Sequence, residues 1–90
     1  MTSYIDIIGF IAGGLTIIAL IPQIIRMFRE ENTKAVSLMS YSLTSSGCFL
    51  WVVYGIMMNN TPVIIANGLI TCLLLTIVAK KIYNLVKKID

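Results

Sequence analysis

Residues 35–79 read AVSLMSYSLTSSGCFLWVVYGIMMNNTPVIIANGLITCLLLTIVA, 45 residues from Ala35 to Ala79 without one charged side chain. A helix rises about 1.5 Å per residue and needs about 20 residues to cross the hydrocarbon core of a bilayer. The run is too long for one crossing and right for two joined by a tight turn. Its turn cluster is Asn59-Asn60-Thr61-Pro62, and proline suits the first position of a new helix. Upstream, Ile7 to Ile25 is a second charge-free run, 19 residues or one crossing. The sequence predicts an all-α membrane protein: a bundle of three transmembrane helices at about 5–28, 38–58 and 62–84, in a single domain over 1–90. Continuous apolarity without period-2 alternation argues against barrel strands.

Composition agrees. Of the 90 residues 58% are hydrophobic and 12% charged, and the mean hydropathy is +0.91; a soluble domain carries about 25% charge. Apart from Asp6, the charges fall in two clusters. Arg26, Arg29, Glu30, Glu31 and Lys34 follow the first span, and Lys80, Lys81, Lys87, Lys88 and Asp90 form the tail. All 7 Lys and Arg residues thus flank one side of the bundle. That side is expected to be cytoplasmic, with the N-terminus outside and the C-terminus inside a cell inner (plasma) membrane. The first span is expected to be retained rather than cleaved. No basic segment precedes it, Asp6 is acidic, and the run ends at Arg26 instead of a small-residue cleavage site. There is no His, and Cys48 and Cys72 lie within apolar runs. No metal site, cofactor or catalytic residue is expected, and an enzyme is excluded as a reading because the spans hold no acid, base or nucleophile–base pair. The partner class is the lipid bilayer, not nucleic acid.

Three helices fill their own centre and cannot enclose a solute path, so either the protein is an accessory subunit or copies assemble around a shared pathway. Small residues four apart allow close helix approach at Gly9/Gly13, Ser42/Ser46 and Gly68/Cys72. Packing within the subunit explains each as well as a seam between copies.

Polar and helix-breaking residues inside the spans are the candidate site. Pro22 removes a backbone hydrogen bond and frees the Ile18 carbonyl, which makes it either a hinge or a fixed kink. Gln23 is an amide that needs a partner in lipid, and it could cap the freed carbonyls. Trp51 lies about 10 Å below the outer interface, too deep for an aromatic belt, and Asn67 about 8 Å below it on the next helix. Alone, Trp51 reads as core packing and Asn67 as an interhelical bond of roughly 1 kcal/mol. At matching depth the pair suits a sugar, whose C–H faces stack on a ring and whose hydroxyls bond an amide. Tyr54, one turn outward from Trp51, reads as a gate or a belt residue, and Tyr41 near the inner start of the second helix reads the same two ways. Thr44, Ser45 and Ser46 line a wet path or bond their own i−4 carbonyls. Tyr83 reads as an interfacial anchor.

These residues resemble a known family. Leu20-Ile21-Pro22-Gln23 is similar to the signature of PQ-loop proteins. Asn32-Thr33-Lys34-Ala35-Val36-Ser37, Leu50-Trp51-Val52-Val53-Tyr54-Gly55 and Pro62-Val63-Ile64-Ile65-Ala66-Asn67 extend the likeness to the SemiSWEET sugar transporters across essentially the whole chain. The resemblance implies a half-transporter: two parallel three-helix bundles in a homodimer about a two-fold axis along the membrane normal. Trp51 and Asn67 of both copies would line one sugar pocket. Pro22 with Gln23 would be the hinge of the inner gate, and Tyr54 would contribute to the outer gate. Some relatives latch the outer gate with an Arg and an Asp where this chain has Met57-Met58-Asn59-Asn60, so closure here would rest on Tyr54, Met58 and amide hydrogen bonds. The expectation is facilitative, uncoupled uptake of a glucose- or sucrose-like sugar by alternating access. The competing readings are a holin-like pore and an accessory subunit. Neither accounts for a hinge proline together with Trp51 and Asn67 at one depth.

Overall fold

The structure, a computed structural model, describes residues 4–90. It contains three helices: α1 over Tyr4–Glu30, α2 over Leu38–Met57 and α3 over Thr61–Val86. Each boundary lies within two residues of the expected one. α1 runs through Pro22 without ending. α3 begins one residue early because Asn60 takes the cap, its side-chain oxygen accepting from the Val63 N–H at 3.3 Å. Ser37 caps α2 in the same way, accepting from the Ser40 N–H at 3.2 Å. α2 stops where Asn59 turns left-handed at φ 53°. The Asn60 N–H then reaches back to the Gly55 carbonyl and the Asn59 N–H to that of Ile56, which satisfies two orphan carbonyls.

In space the order is α1, α3, α2. α3 packs along both other helices, while among the described residues no Cα of α1 comes within 8 Å of one in α2. The backbone spans 49 × 22 × 14 Å, with α3 in the middle. Gly9 and Gly13 permit the α1–α3 contact. A Cβ on Gly9 would stand 2.9 Å from the Pro62 Cβ, and one on Gly13 would fall on that of Ala66. The G-x-x-x-G pattern thus serves packing inside the subunit. Gly55 does likewise for α2, against Val63 and Ile64, whereas Gly68 meets nothing within 4 Å.

The core is small and lies toward the end that carries the α1–α2 connection: Leu20 and Met27 of α1 with Ile70, Leu74 and Ile77 of α3, flanked by Tyr41 and Cys48 of α2. Elsewhere large apolar side chains such as Ile8, Leu15, Leu43 and Leu69 are exposed, as suits a surface solvated by lipid. α1 and α3 are each long and apolar enough to cross a membrane. α2 carries no charge over 20 residues, and Thr44, Ser45 and Ser46 donate to the carbonyls of Ser40, Tyr41 and Ser42 at 2.7–2.9 Å. Those bonds hide the hydroxyls from the bilayer.

Candidate functional site

The expected site residues divide into an aromatic group toward the α2–α3 turn, a groove between α1 and α3, and a contact near the α1–α2 connection. Trp51 and Tyr54 sit one turn apart on α2. Their rings meet edge to face, centroids 5.3 Å apart at 88°, a favoured aromatic geometry. Trp51 is 53% exposed and Tyr54 48%, and with Gly47 and Leu50 they line an open depression. Core packing does not account for a tryptophan left half in the open. Met58, the C-cap of α2, is exposed at the outer turn.

Asn67 lines a different hollow, a groove of about 300 Å³ between α1 and α3 with Gly9, Ala12, Thr16, Val63 and Ile70 among its walls. One of its amide hydrogens goes to the Val63 carbonyl at 3.0 Å. A second hydrogen and the acceptor oxygen remain in the chemistry of the group. Within one subunit, then, Trp51 and Asn67 lie on neighbouring helices but line separate hollows. Thr16, which reads as an ordinary helical threonine in the sequence, faces the Asn67 groove, its hydroxyl bonded to the Ala12 carbonyl at 3.1 Å.

Near the α1–α2 connection Tyr41 and Gln23 come together: the tyrosine hydroxyl donates to Gln23 Oε1 at 3.2 Å. Both line a pocket of about 190 Å³ with Arg26, Glu30, Asn32 and Thr33. The amide oxygen of Gln23 thus finds a partner on α2.

A further cluster went unread in the sequence. Asp90 Oδ1 accepts from the Thr33 N–H at 2.8 Å, and its Oδ2 accepts from the Thr33 hydroxyl. Lys81 Nζ donates to the Thr33 carbonyl at 2.8 Å and to Asp90 Oδ2 at 3.0 Å. Asn84, fully buried, donates to Thr33 Oγ1 and Asp90 Oδ1 at 3.3 and 3.2 Å. Burial pushes the Asp90 carboxyl up, but the bonds from the Thr33 hydroxyl and amide, Lys81 and Asn84 outweigh it and hold the group well below the usual carboxylate range. The available signal was periodicity. Ile70, Leu74, Ile77, Lys81 and Asn84 recur every three or four residues, which places Lys81 and Asn84 on the core face of α3. The remaining lysine beside the core, Lys80, stands over the rings of Phe28 and Tyr83, 5.7 and 5.1 Å from their centroids.

The sequence matches the PQ loop repeat family model over residues 4–64. It is 34% identical over 73 residues to the sugar transporter SemiSWEET of Leptospira biflexa, covering 81% of this chain and 85% of that protein. It is 37% identical over 59 residues to the sugar transporter SemiSWEET of Escherichia coli, 66% of each chain. The fold superposes on a crystal structure of a bacterial homologue of SWEET transporters with a TM-score of 0.85 at 34% identity, over 90% of this chain and 98% of that one. The chain belongs to the PQ-loop family, within its SemiSWEET branch.

Proposed function

We propose that this protein is a sugar transporter that works as a parallel homodimer, moving a mono- or disaccharide passively by alternating access. The observation that carries the reading is the half-exposed Trp51 on a three-helix bundle in which α3 packs against both other helices. Three helices leave no interior for a solute, so a second copy facing the Trp51 side would supply the other wall. Trp51 and Asn67 of the two copies would then stack on and hydrogen-bond one sugar. Pro22 and Gln23 form the hinge of the inner half of α1, Tyr41 the inner gate, and Tyr54 with Met58 the outer gate. The basic segments lie on the cytoplasmic side of the inner membrane, leaving the N-terminus outside.

No Asp, Glu or His occurs between Ile7 and Ile25 or between Ala35 and Ala79, where a proton-coupled carrier usually places its proton site. Uptake of radiolabelled glucose and sucrose into proteoliposomes tests the reading. Saturable uptake with no accumulation under an imposed pH or sodium gradient is expected. Leakage of unrelated dyes would point to a pore instead, and accumulation against the sugar gradient would reveal a coupling site.

A further inference from the structure

Thr33, Lys81, Asn84 and Asp90 have no role in the transport scheme above, yet they form the most densely bonded polar contact between distant parts of the chain. Its construction begins at the end of α3. Lys88 adopts a left-handed conformation at φ 58°, the Lys88 N–H bonds the Leu85 carbonyl, and the Ile89 N–H bonds that of Asn84. This reversal folds Asp90 back over the last turns of α3, onto Lys81 and Asn84. The other half arrives from the α1–α2 connection. Thr33 commits its amide, hydroxyl and carbonyl to this one spot.

A residue held through all three polar groups cannot slide or rotate without breaking every bond at once. Several of those bonds involve the Lys81 ammonium or the Asp90 carboxylate, and charge-assisted bonds are roughly twice as strong as neutral ones. The side chains of Lys81 and Asp90 are 12% and 5% exposed and pair with each other at 3.0 Å, so withdrawing Thr33 would strip a largely buried ion pair of the bonds it makes to the Thr33 amide, hydroxyl and carbonyl. By contrast, one neutral hydrogen bond joins Tyr41 to Gln23. Of the two polar contacts at the inner end, that one is by far the easier to open.

We propose that Thr33, Lys81, Asn84 and Asp90 form a clasp that stays closed through the transport cycle and tethers the α1–α2 connection to the inner end of α3. The inner half of α1 then pivots between two fixed ends, Pro22 and Thr33, instead of swinging free, and the Tyr41–Gln23 bond is what parts when the inner mouth opens. This rests on the hinge reading of Pro22. Thr33 and Asp90 are positioning residues: they touch no sugar and set the path of the moving segment.

Cross-linking separates a permanent clasp from a moving gate. In a background with Cys48→Ala and Cys72→Ala, one variant carries Thr33→Cys with Asp90→Cys, another Gln23→Cys with Tyr41→Cys. Each is joined in proteoliposomes by a short bis-methanethiosulfonate reagent and assayed for sugar counterflow before and after reduction. The Thr33–Asp90 link is expected to leave the rate of its own reduced form unchanged, and the Gln23–Tyr41 link to stop transport reversibly. Loss of transport on linking 33 to 90, restored by reductant, would overturn the clasp. Should the Asp90 variant fail to fold, amide exchange at Thr33 in the wild-type protein decides the matter. Protection that is equal with and without sugar supports the clasp, and exchange at the rate of a free loop amide overturns it. A wild type that carries no sugar at all would overturn the transport reading, and the amide result would still judge the clasp.

Discussion

The hydroxyl of Tyr41 donates to the side-chain oxygen of Gln23 across 3.2 Å, joining two helices whose Cα atoms stay more than 8 Å apart among the described residues. On α1 this bond is made by the residue directly after the helix proline, Pro22. A neutral hydrogen bond is worth about 1 kcal/mol net. Tyr41→Phe removes it while keeping the ring in the core, and is expected to raise the inward-open population roughly fivefold. A cysteine at Ala35 in a Cys48→Ala, Cys72→Ala background, reacted with an impermeant maleimide from the inner side, reads that population. Unchanged labelling would show that the bond does not hold the inner mouth.

Trp51→Ala and Asn67→Ala are each expected to lower sugar transport by about tenfold or more, the equivalent of about 1.4 kcal/mol of lost binding in the transition state. Dimer assembly should persist, because in the proposed pocket both side chains face the sugar rather than the other copy. Counterflow in proteoliposomes alongside mass measurement in detergent checks both halves of the statement. A variant that assembles and transports at the wild-type rate would make its residue a packing element.

The glycines of α1 should separate cleanly. Gly13→Ala puts a methyl group onto the Ala66 Cβ and is expected to cost about 1–3 kcal/mol through forced displacement of α1 from α3. Gly14→Ala, next in sequence, meets nothing within 4 Å and should stabilise the helix by up to about 1 kcal/mol through lost backbone freedom. Thermal unfolding in detergent reads the two shifts, and equal effects would contradict the α1–α3 contact described here.

Acid should weaken the inner end of the protein. The Asp90 carboxyl is held below its ordinary value, so its stabilisation is complete above an unfolded pKa of about 3.9 and is lost as the pH falls from there toward the lower folded value. Between pH 7 and about 5 the contribution is flat. Melting curves in detergent should therefore show the wild type losing stability below about pH 4. Asp90→Asn, already weaker at neutral pH, should lose less over the same interval. Parallel curves for the two proteins would mean that the carboxylate is not bonded as described.

The three helices were legible in the sequence because burial in lipid is written in composition. Uncharged runs of crossing length and a turn cluster at Asn59–Pro62 depend on neighbouring residues only, and the observed ends lie within two residues of those expected. Trp51, Asn67, Pro22, Gln23, Tyr41 and Tyr54 were likewise visible as polar, aromatic or helix-breaking residues where lipid disfavours or does not require them. Their partners were not visible. That Gln23 meets Tyr41, that Gly13 meets Ala66 and that Trp51 and Asn67 open onto separate hollows of one subunit follows from α3 lying between α1 and α2, and chain order gives no hint of that arrangement. The Thr33–Asp90 contact was hidden most deeply. In the sequence Lys81 and Asp90 are only two charges of a basic tail, and the left-handed turn at Lys88 and the docking of the α1–α2 connection bury them together. Composition and local spacing determine which segments cross the membrane, because transfer to lipid is settled residue by residue. Tertiary structure decides which polar groups meet, because a hydrogen bond requires both partners within about 3 Å, and packing alone places them there.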